Sequence, residues 1–457
     1  MSGSSEGWDT FDAAMRAYVS EFATLSASVD PELSRIPQWV QRGATYVREI
    51  RPTYFMAQSV ANQAFYLKSF PALEAAFYES PLKPYLPGGS PSAPGPQTYI
   101  HPRDVAIRAA FRAINVYPDQ TQAFDRDSIE ADLRSLHNLV ESKMLRMELI
   151  GIVTGMQVTE TVALRENLRI ESLTPAEVGT FFNPAPFPIT INNSTGEQEA
   201  LLPAPIAALR LSFDQPRDEV TANHVPELLD EFERLANSVA LHHDVRPALF
   251  LWRQWSTDEF LRGGYSTSAP IGIGLAEKSE VIADATRVLE AYSALRKLFL
   301  SGKEAHIPLA IRRIGLTRIR ASSEDVLIDT MIALEALLLA DNKKERGELA
   351  LRMSLRAAQW AATLGESAGE AFDLVRRTYG IRSRVVHGGM PKKDAMFDVD
   401  GIKASYDDIV ARLACLSRKL GIDALRKVLN DDVDMEWDSR LKGLLQGTSE
   451  RLADGTQ

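Results

Sequence analysis

A single cysteine in 457 residues, Cys415, excludes an intrachain disulfide and fits a reducing compartment. It falls in the helical pattern IVARLACLSRKL, where a small core residue is expected rather than a nucleophile. Basic residues are in deficit: 51 Lys and Arg against 61 Asp and Glu give a net charge of -10. That balance, with a pI near 5.4, argues against a protein that coats nucleic acid nonspecifically, though it leaves room for a local basic patch. No apolar run approaches the roughly 18 residues of a spanning helix. The best candidate, IALEALLLA, carries Glu335. MSGSSEGWDT has no basic region followed by an apolar run, so the sequence predicts no secretory signal, a cytoplasmic protein and no membrane partner.

Motifs for metal and cofactor chemistry are equally scarce. CxxC and HExxH are absent, Ser301-Gly302-Lys303 lacks the upstream glycine of a phosphate loop, and Gly272 and Gly274 lack a third glycine. His242-His243-Asp244 is the one histidine cluster. Adjacent helical side chains point about 100° apart, and no second Cys or His group stands nearby, so neither a metal nor a cofactor is expected.

What is present divides the chain by pattern. Residues 1–148 read as mostly helical, with apolar positions at three- and four-residue spacing in FDAAMRAYVSEFATL and FMAQSVANQAFYLKSF and helices expected over 103–116 and 126–148. A Pro/Gly-rich loop, 81–102, interrupts them. Residues 149–274 are rich in Val, Ile and Thr with partial alternation, around the amphipathic VPELLDEFERLANSVAL, which predicts an α+β region. From about 275 to 445 the pattern predicts some six helices, a four-helix core with additions, and 446–457 reads as a tail. The fold class expected is therefore mixed: a helical N-terminal region, an α+β middle and an all-α C-terminal bundle.

Chemistry concentrates in YGIRSRVVHGG, Tyr379 to Gly389. Arg382 and His387 stand with four residues between them in a helix that Gly388 and Gly389 stop. A permanently charged guanidinium to hold a phosphate and an imidazole that titrates near neutrality to move protons are what metal-free phosphodiester cleavage needs. Upstream, Ser322 and Asp325 stand at capping-box spacing before a helix apolar on nearly every side except at Asp329 and Glu335. Buried carboxylates need partners, and arginines are the expected ones. One reading has them tie helices together; the other has one of them orient Arg382 or His387.

The D-x-x-x-D-x-x-x-x-L-E-x-L helix, a second long helix and Y-x-x-R-S-x-x-V-H-G together resemble the HEPN superfamily, and within it the Apea-like HEPN proteins of bacteria, over about residues 275–445. The resemblance implies a metal-independent ribonuclease with an R-x4-6-H motif, of the kind used in phage defence, abortive infection and toxin–antitoxin systems. It further implies that two protomers bring their motifs into one cleft, with His387 as general acid or base and Arg382 stabilising charge on the phosphorane. RNA, a second copy of the chain and an antitoxin or phage trigger would be its partners, and residues 1–274, the middle region included, its sensor. Ser383 departs from the Asn, Asp or His that often follows the arginine in active members.

Basic residues crowd this segment: Arg312, Arg313, Arg318 and Arg320 before the Asp325 helix, Arg376, Arg377 and Arg384 around the motif, and Lys392 and Lys393 after it. As an RNA track we single out Arg318, Arg320, Arg376, Arg377, Arg384, Lys392 and Lys393, with Tyr379 able to stack on a base. A solvated helix face is the competing reading of the same charges. At the level of the whole protein the alternative is a non-catalytic HEPN-like scaffold that dimerises and binds nucleotide or RNA.

Overall fold

Phe11, Met15, Tyr18 and Phe22 recur at helical spacing, and in the computed structural model they form the fully buried face of α1 (Gly3–Ser26). The structure describes residues 3–26, 35–42, 45–52, 66–83, 86, 101–113, 126–142, 144–173, 189–191, 198–203, 206–216, 224–256, 267–270, 279–301, 306–339, 348–388, 396–399 and 402–431. Most of the Pro/Gly-rich loop, Gly272, Gly274, Lys303, Lys392, Lys393 and the 446–457 tail lie outside them.

After α1 come strands β1 (Arg35–Arg42) and β2 (Thr45–Pro52), then helices α2 (Phe70–Glu79), α3 (Pro102–Ala113) and α4 (Arg126–Glu141). Next are β3 (Met144–Thr154), β4 (Met156–Val158), β5 (Val162–Arg165), β6 (Leu168–Ser172), β7 (Ile189–Ile191), β8 (Gln198–Pro203) and β9 (Ala207–Pro216). Helix α5 (Val225–His242) follows, with β10 (Ala248–Ser256), β11 (Thr267–Pro270) and β12 (Glu280–Ile282). The remainder is α6 (Thr286–Ser301), α7 (His306–Leu316), α8 (Ser323–Leu338), α9 (Leu349–Thr363), α10 (Ala368–Val386), the hairpin β13 (Met396–Val399) and β14 (Ile402–Ser405), and α11 (Tyr406–Asp431). No helix among the described residues is long and apolar enough to cross a membrane.

The chain divides into two compact units, one of Met1–Leu228 with Leu249–Leu275, the other of Leu229–Ala248 with Ala276–Gln457. The expected division near residue 148 is not a division of the structure. Leu145 and Met147 of β3 enter the same apolar core as Phe11, Leu73 and Leu136 of the N-terminal helices. In that core Phe11 meets Phe77 edge to face at 4.8 Å, and Glu21 accepts the Ser69 amide and hydroxyl at the start of α2.

Two segments expected to be helical are strands. β1 and β2 pair antiparallel from Arg35↔Pro52 to Arg42↔Thr45 and extend through β8 to β7. In the sequence Gly43-Ala44 separates the two strands. Met144 to Glu148 likewise belongs to β3 instead of prolonging α4, because the strand pairs with β9 along Met144↔Pro216 to Val153↔Ala207. β3 lies inside a six-stranded sheet, β11-β10-β3-β9-β6-β5, and is buried almost throughout. Across one face of that sheet Glu148 takes Arg210 and Arg169 at 3.0 Å each. The antiparallel pair β13–β14 interrupts the expected helical run.

The second unit is built on α5 to α11. Leu327, Met331, Leu334 and Leu338 of α8 share a core with Ile307, Ile311 and Ile314 of α7, Trp360 of α9 and Leu413 and Leu425 of α11. Cys415 is exposed, contrary to expectation, because Leu413 and Ala414 occupy the inward positions of that turn. At the C-terminal end of α5, arginines bind the last carbonyls: Arg318 Nε and Nη2 donate to Ala240 O at 3.2 Å each, and Arg426 Nε to Leu241 O at 2.8 Å. Arg318 also pairs with Asp244, and His243 with Glu280 at 2.6 Å. A Cβ at Gly315 would stand 2.6 Å from Asn237 Oδ1, so the Asn237 side chain would have to shift to admit one. The His242-His243-Asp244 cluster is thus a helix-end anchor, and no group of metal-ligating side chains occurs among the described residues.

Burial, and then the cations Arg426, His243 and Arg287, push His242 down from its usual value to about 4. The unfolded chain therefore binds a proton between pH 6.5 and 4 that the folded chain refuses. The folded chain accordingly loses stability relative to the unfolded chain as pH falls from 6.5 toward 4, and the loss is absent above pH 6.5. Urea denaturation across that window should show a steeper pH dependence for the wild type than for His242→Gln.

Candidate active site

Helix α8 begins at Ser322, whose hydroxyl accepts the Glu324 amide, and beyond its first turn carries two carboxylates on different faces. Asp329 and Glu335 are six residues apart, about 120° around the axis. Asp329 is only 2% exposed and is held by Arg313 Nη1 at 2.9 Å and Arg320 Nε at 2.7 Å. The arginine partners expected for it are there, and Arg320, a candidate for the RNA track, is one of them. Its guanidinium pKa is raised, mainly by the Asp329 hydrogen bond.

Glu335 faces α10. That helix starts at Ser367, whose hydroxyl accepts the Glu370 amide, and ends where His387 and Gly388 break the pattern. The His387 amide bonds Ser383 O at 3.2 Å, and the Gly388 amide bonds Val385 O at 3.1 Å with Gly388 at φ +71°. This places the His387 side chain, exposed, at the last turn. One turn and a half earlier Arg382 brings Nη2 to 3.7 Å from Glu335 Oε2, with Cζ 5.8 Å from the Tyr379 ring centroid. Its Nε is buried and donates no hydrogen bond among the described residues. Arg382 thus has an ion-pair neighbour beyond hydrogen-bond length and retains donor capacity in its five N–H groups.

The other candidates sort by what they touch. Arg318 is turned inward to Ala240 O and Asp244, its side chain 8% exposed, so it serves the α5 anchor. Arg376, Arg377 and Arg384 are exposed on α10, Arg376 against Phe372. Tyr379 is half-buried against the apolar core, and Ser383 contributes its carbonyl to the helix end. Two residues that sequence reasoning did not single out stand near the motif: Tyr406, at the start of α11, and Glu324. Burial raises the Tyr406 hydroxyl pKa, Glu324 raises it further and Arg384 opposes them. No spacing rule links these residues, which come from three separate helices.

Arg382 and His387 lie about 7.5 Å apart along the axis and about 140° around it. One copy of α10 therefore presents them to different sides of the helix.

Asp329→Ala should destabilise the protein by about 1–3 kcal/mol, the range for a charge-assisted hydrogen-bonded carboxylate, with both arginines exposed enough to rehydrate. A lower urea midpoint with an unchanged slope would register this; Asp329→Asn should recover part of it.

In comparison with known proteins, the chain matches no family model, no curated protein and no solved structure.

Proposed function

We propose that this chain is a metal-independent endoribonuclease of the HEPN kind, acting in the cytoplasm in a phage-defence, abortive-infection or toxin–antitoxin setting. The observation that carries the reading is the contrast among arginines. Arg313, Arg318 and Arg320 are engaged in internal bonds, whereas Arg382, half-buried beside Glu335 and Tyr379, keeps donors for an anion next to the exposed His387. Two copies of α10 meeting near their C-terminal ends would place the arginine of each beside the histidine of the other, which the 140° offset denies to a single copy.

In that cleft one His387 removes the proton from a ribose 2′-OH as its oxygen attacks phosphorus. The other protonates the departing 5′-oxygen, leaving a 2′,3′-cyclic phosphate and a 5′-hydroxyl. Arg382 donates to the phosphorane oxygens as charge develops on them, and Glu335 holds the guanidinium in place. The requirement for a 2′-OH makes the reaction specific for RNA. Arg376, Arg377 and Arg384 supply cationic surface on the same helix.

A second reading, a dimerising scaffold that binds RNA or nucleotide without cutting it, draws on one observation. The Glu335 carboxylate beside Arg382 offsets part of the charge that a phosphate would meet.

Incubating purified protein with cellular RNA in EDTA separates the two. The nuclease reading expects cleavage with cyclic-phosphate ends, lowered about 10²- to 10⁴-fold by His387→Ala. Arg382→Ala should have a similar effect. RNA that binds but stays intact under wild-type protein, in cells as in the tube, would establish the scaffold.

A further inference from the structure

Away from the motif, the second unit holds a cavity of about 790 Å³ between the first three turns of α10, the long helix α11 and the turn that joins α9 to α10. Its floor is apolar: Leu413, Leu416 and Leu420 recur along α11 at i, i+3 and i+7, opposite Leu374 of α10. Leu416 is 43% exposed, an unusual position for leucine in a helix whose neighbouring turns are buried. The lining runs along α11 from Asp408 to Asp423, about 22 Å at the helical rise. Spread over that length, the volume gives a channel roughly 6 Å wide, enough for a row of side chains but too narrow for a helix of about 10–12 Å diameter to sink in whole.

The rim decides what kind of molecule fits. Nine of the eighteen lining residues are charged or polar, so a lipid chain or wholly apolar ligand would leave many of them desolvated. An amphipathic segment can lay one row of apolar side chains on the floor while its flanks stay at the rim. On the α10 side that rim is acidic, formed by Glu366, Glu370 and Asp373, all exposed. A cation already reaches it from within the chain: Lys419 of α11 meets Glu366 at 3.5 Å across the opening.

We infer that this groove is a docking site for an amphipathic helix of a partner protein, with leucine-like anchors on one face and a row of lysines or arginines along the flank that meets α10. Arg377, at the channel's far end, is the one cation that α10 adds to the lining and marks where the acidic rim stops. The inference does not rest on the nuclease reading, since neither Arg382 nor His387 lines the groove.

The test uses the full chain and a fluorescent peptide of roughly 18 residues with leucines at helical spacing and lysines along one flank, beside a counterpart with glutamates in place of the lysines. Fluorescence polarisation should show saturable binding of the lysine peptide, with the glutamate peptide at least about tenfold weaker. Leu416→Glu should abolish binding, and the pair Glu370→Lys and Asp373→Lys should reverse the preference between peptides. These side chains are exposed, so the variants should fold, which circular dichroism would verify. Binding of neither peptide, equal binding of both, or binding indifferent to all three substitutions would overturn the proposal. So would binding that emerges only once residues 432–457 are removed, because the occupant would then be the chain itself.

Discussion

A carboxylate taken out of water must be answered by charge, and Asp329 is the place where the C-terminal unit meets that demand. Helix α8 is apolar on most of its surface and is packed by α7, α9, α10 and α11. The one charge it buries deeply is bonded by Arg313 from α7 and by Arg320 from the segment that leads into α8. Those two bonds fix the rotation of α8 about its own axis more sharply than leucines could, since apolar packing is not directional. Once that rotation is set, Glu335, about 120° further round, faces α10 and meets Arg382. A structural ion pair on one face thereby orients a candidate functional pair on another.

Much of this was legible in the sequence. The amphipathic repeats of α1, α5 and α10 gave their helices, Ser322 marked a start, and Gly388 marked a stop. Arginine partners for a carboxylate on α8 followed from the cost of burying it alone. What local pattern does not carry is the identity of those partners. Arg318 and Arg320 differ little as letters, yet one binds a carbonyl 78 residues earlier and the other a carboxylate nine residues later. Only the fold brings such groups within reach.

The misread strands have the same origin. Over Arg35–Pro52 and Met144–Glu148, helical and extended readings compete at short range, and long-range pairing with β8 and β9 decides between them. Hairpin dipeptides could have warned of it, since Gly43-Ala44 and Asp400-Gly401 are turn signals. Cys415 shows the limit from another side: the period places it on a helix but does not say which of three adjacent residues points inward.

The end of α5 has a consequence for how the molecule is made. Its last carbonyls are bound by Arg318 and Arg426, and 185 residues separate Leu241 from Arg426. At about 5–20 residues per second, a ribosome takes roughly 10–40 s to deliver the second arginine after the helix end has emerged. Through that interval the amphipathic helix has left the ribosome before its permanent neighbours exist, so its apolar face is open to chaperones and to other nascent chains. The discontinuous unit is therefore completed by a late arrival, and its final lock depends on the last described helix of the chain.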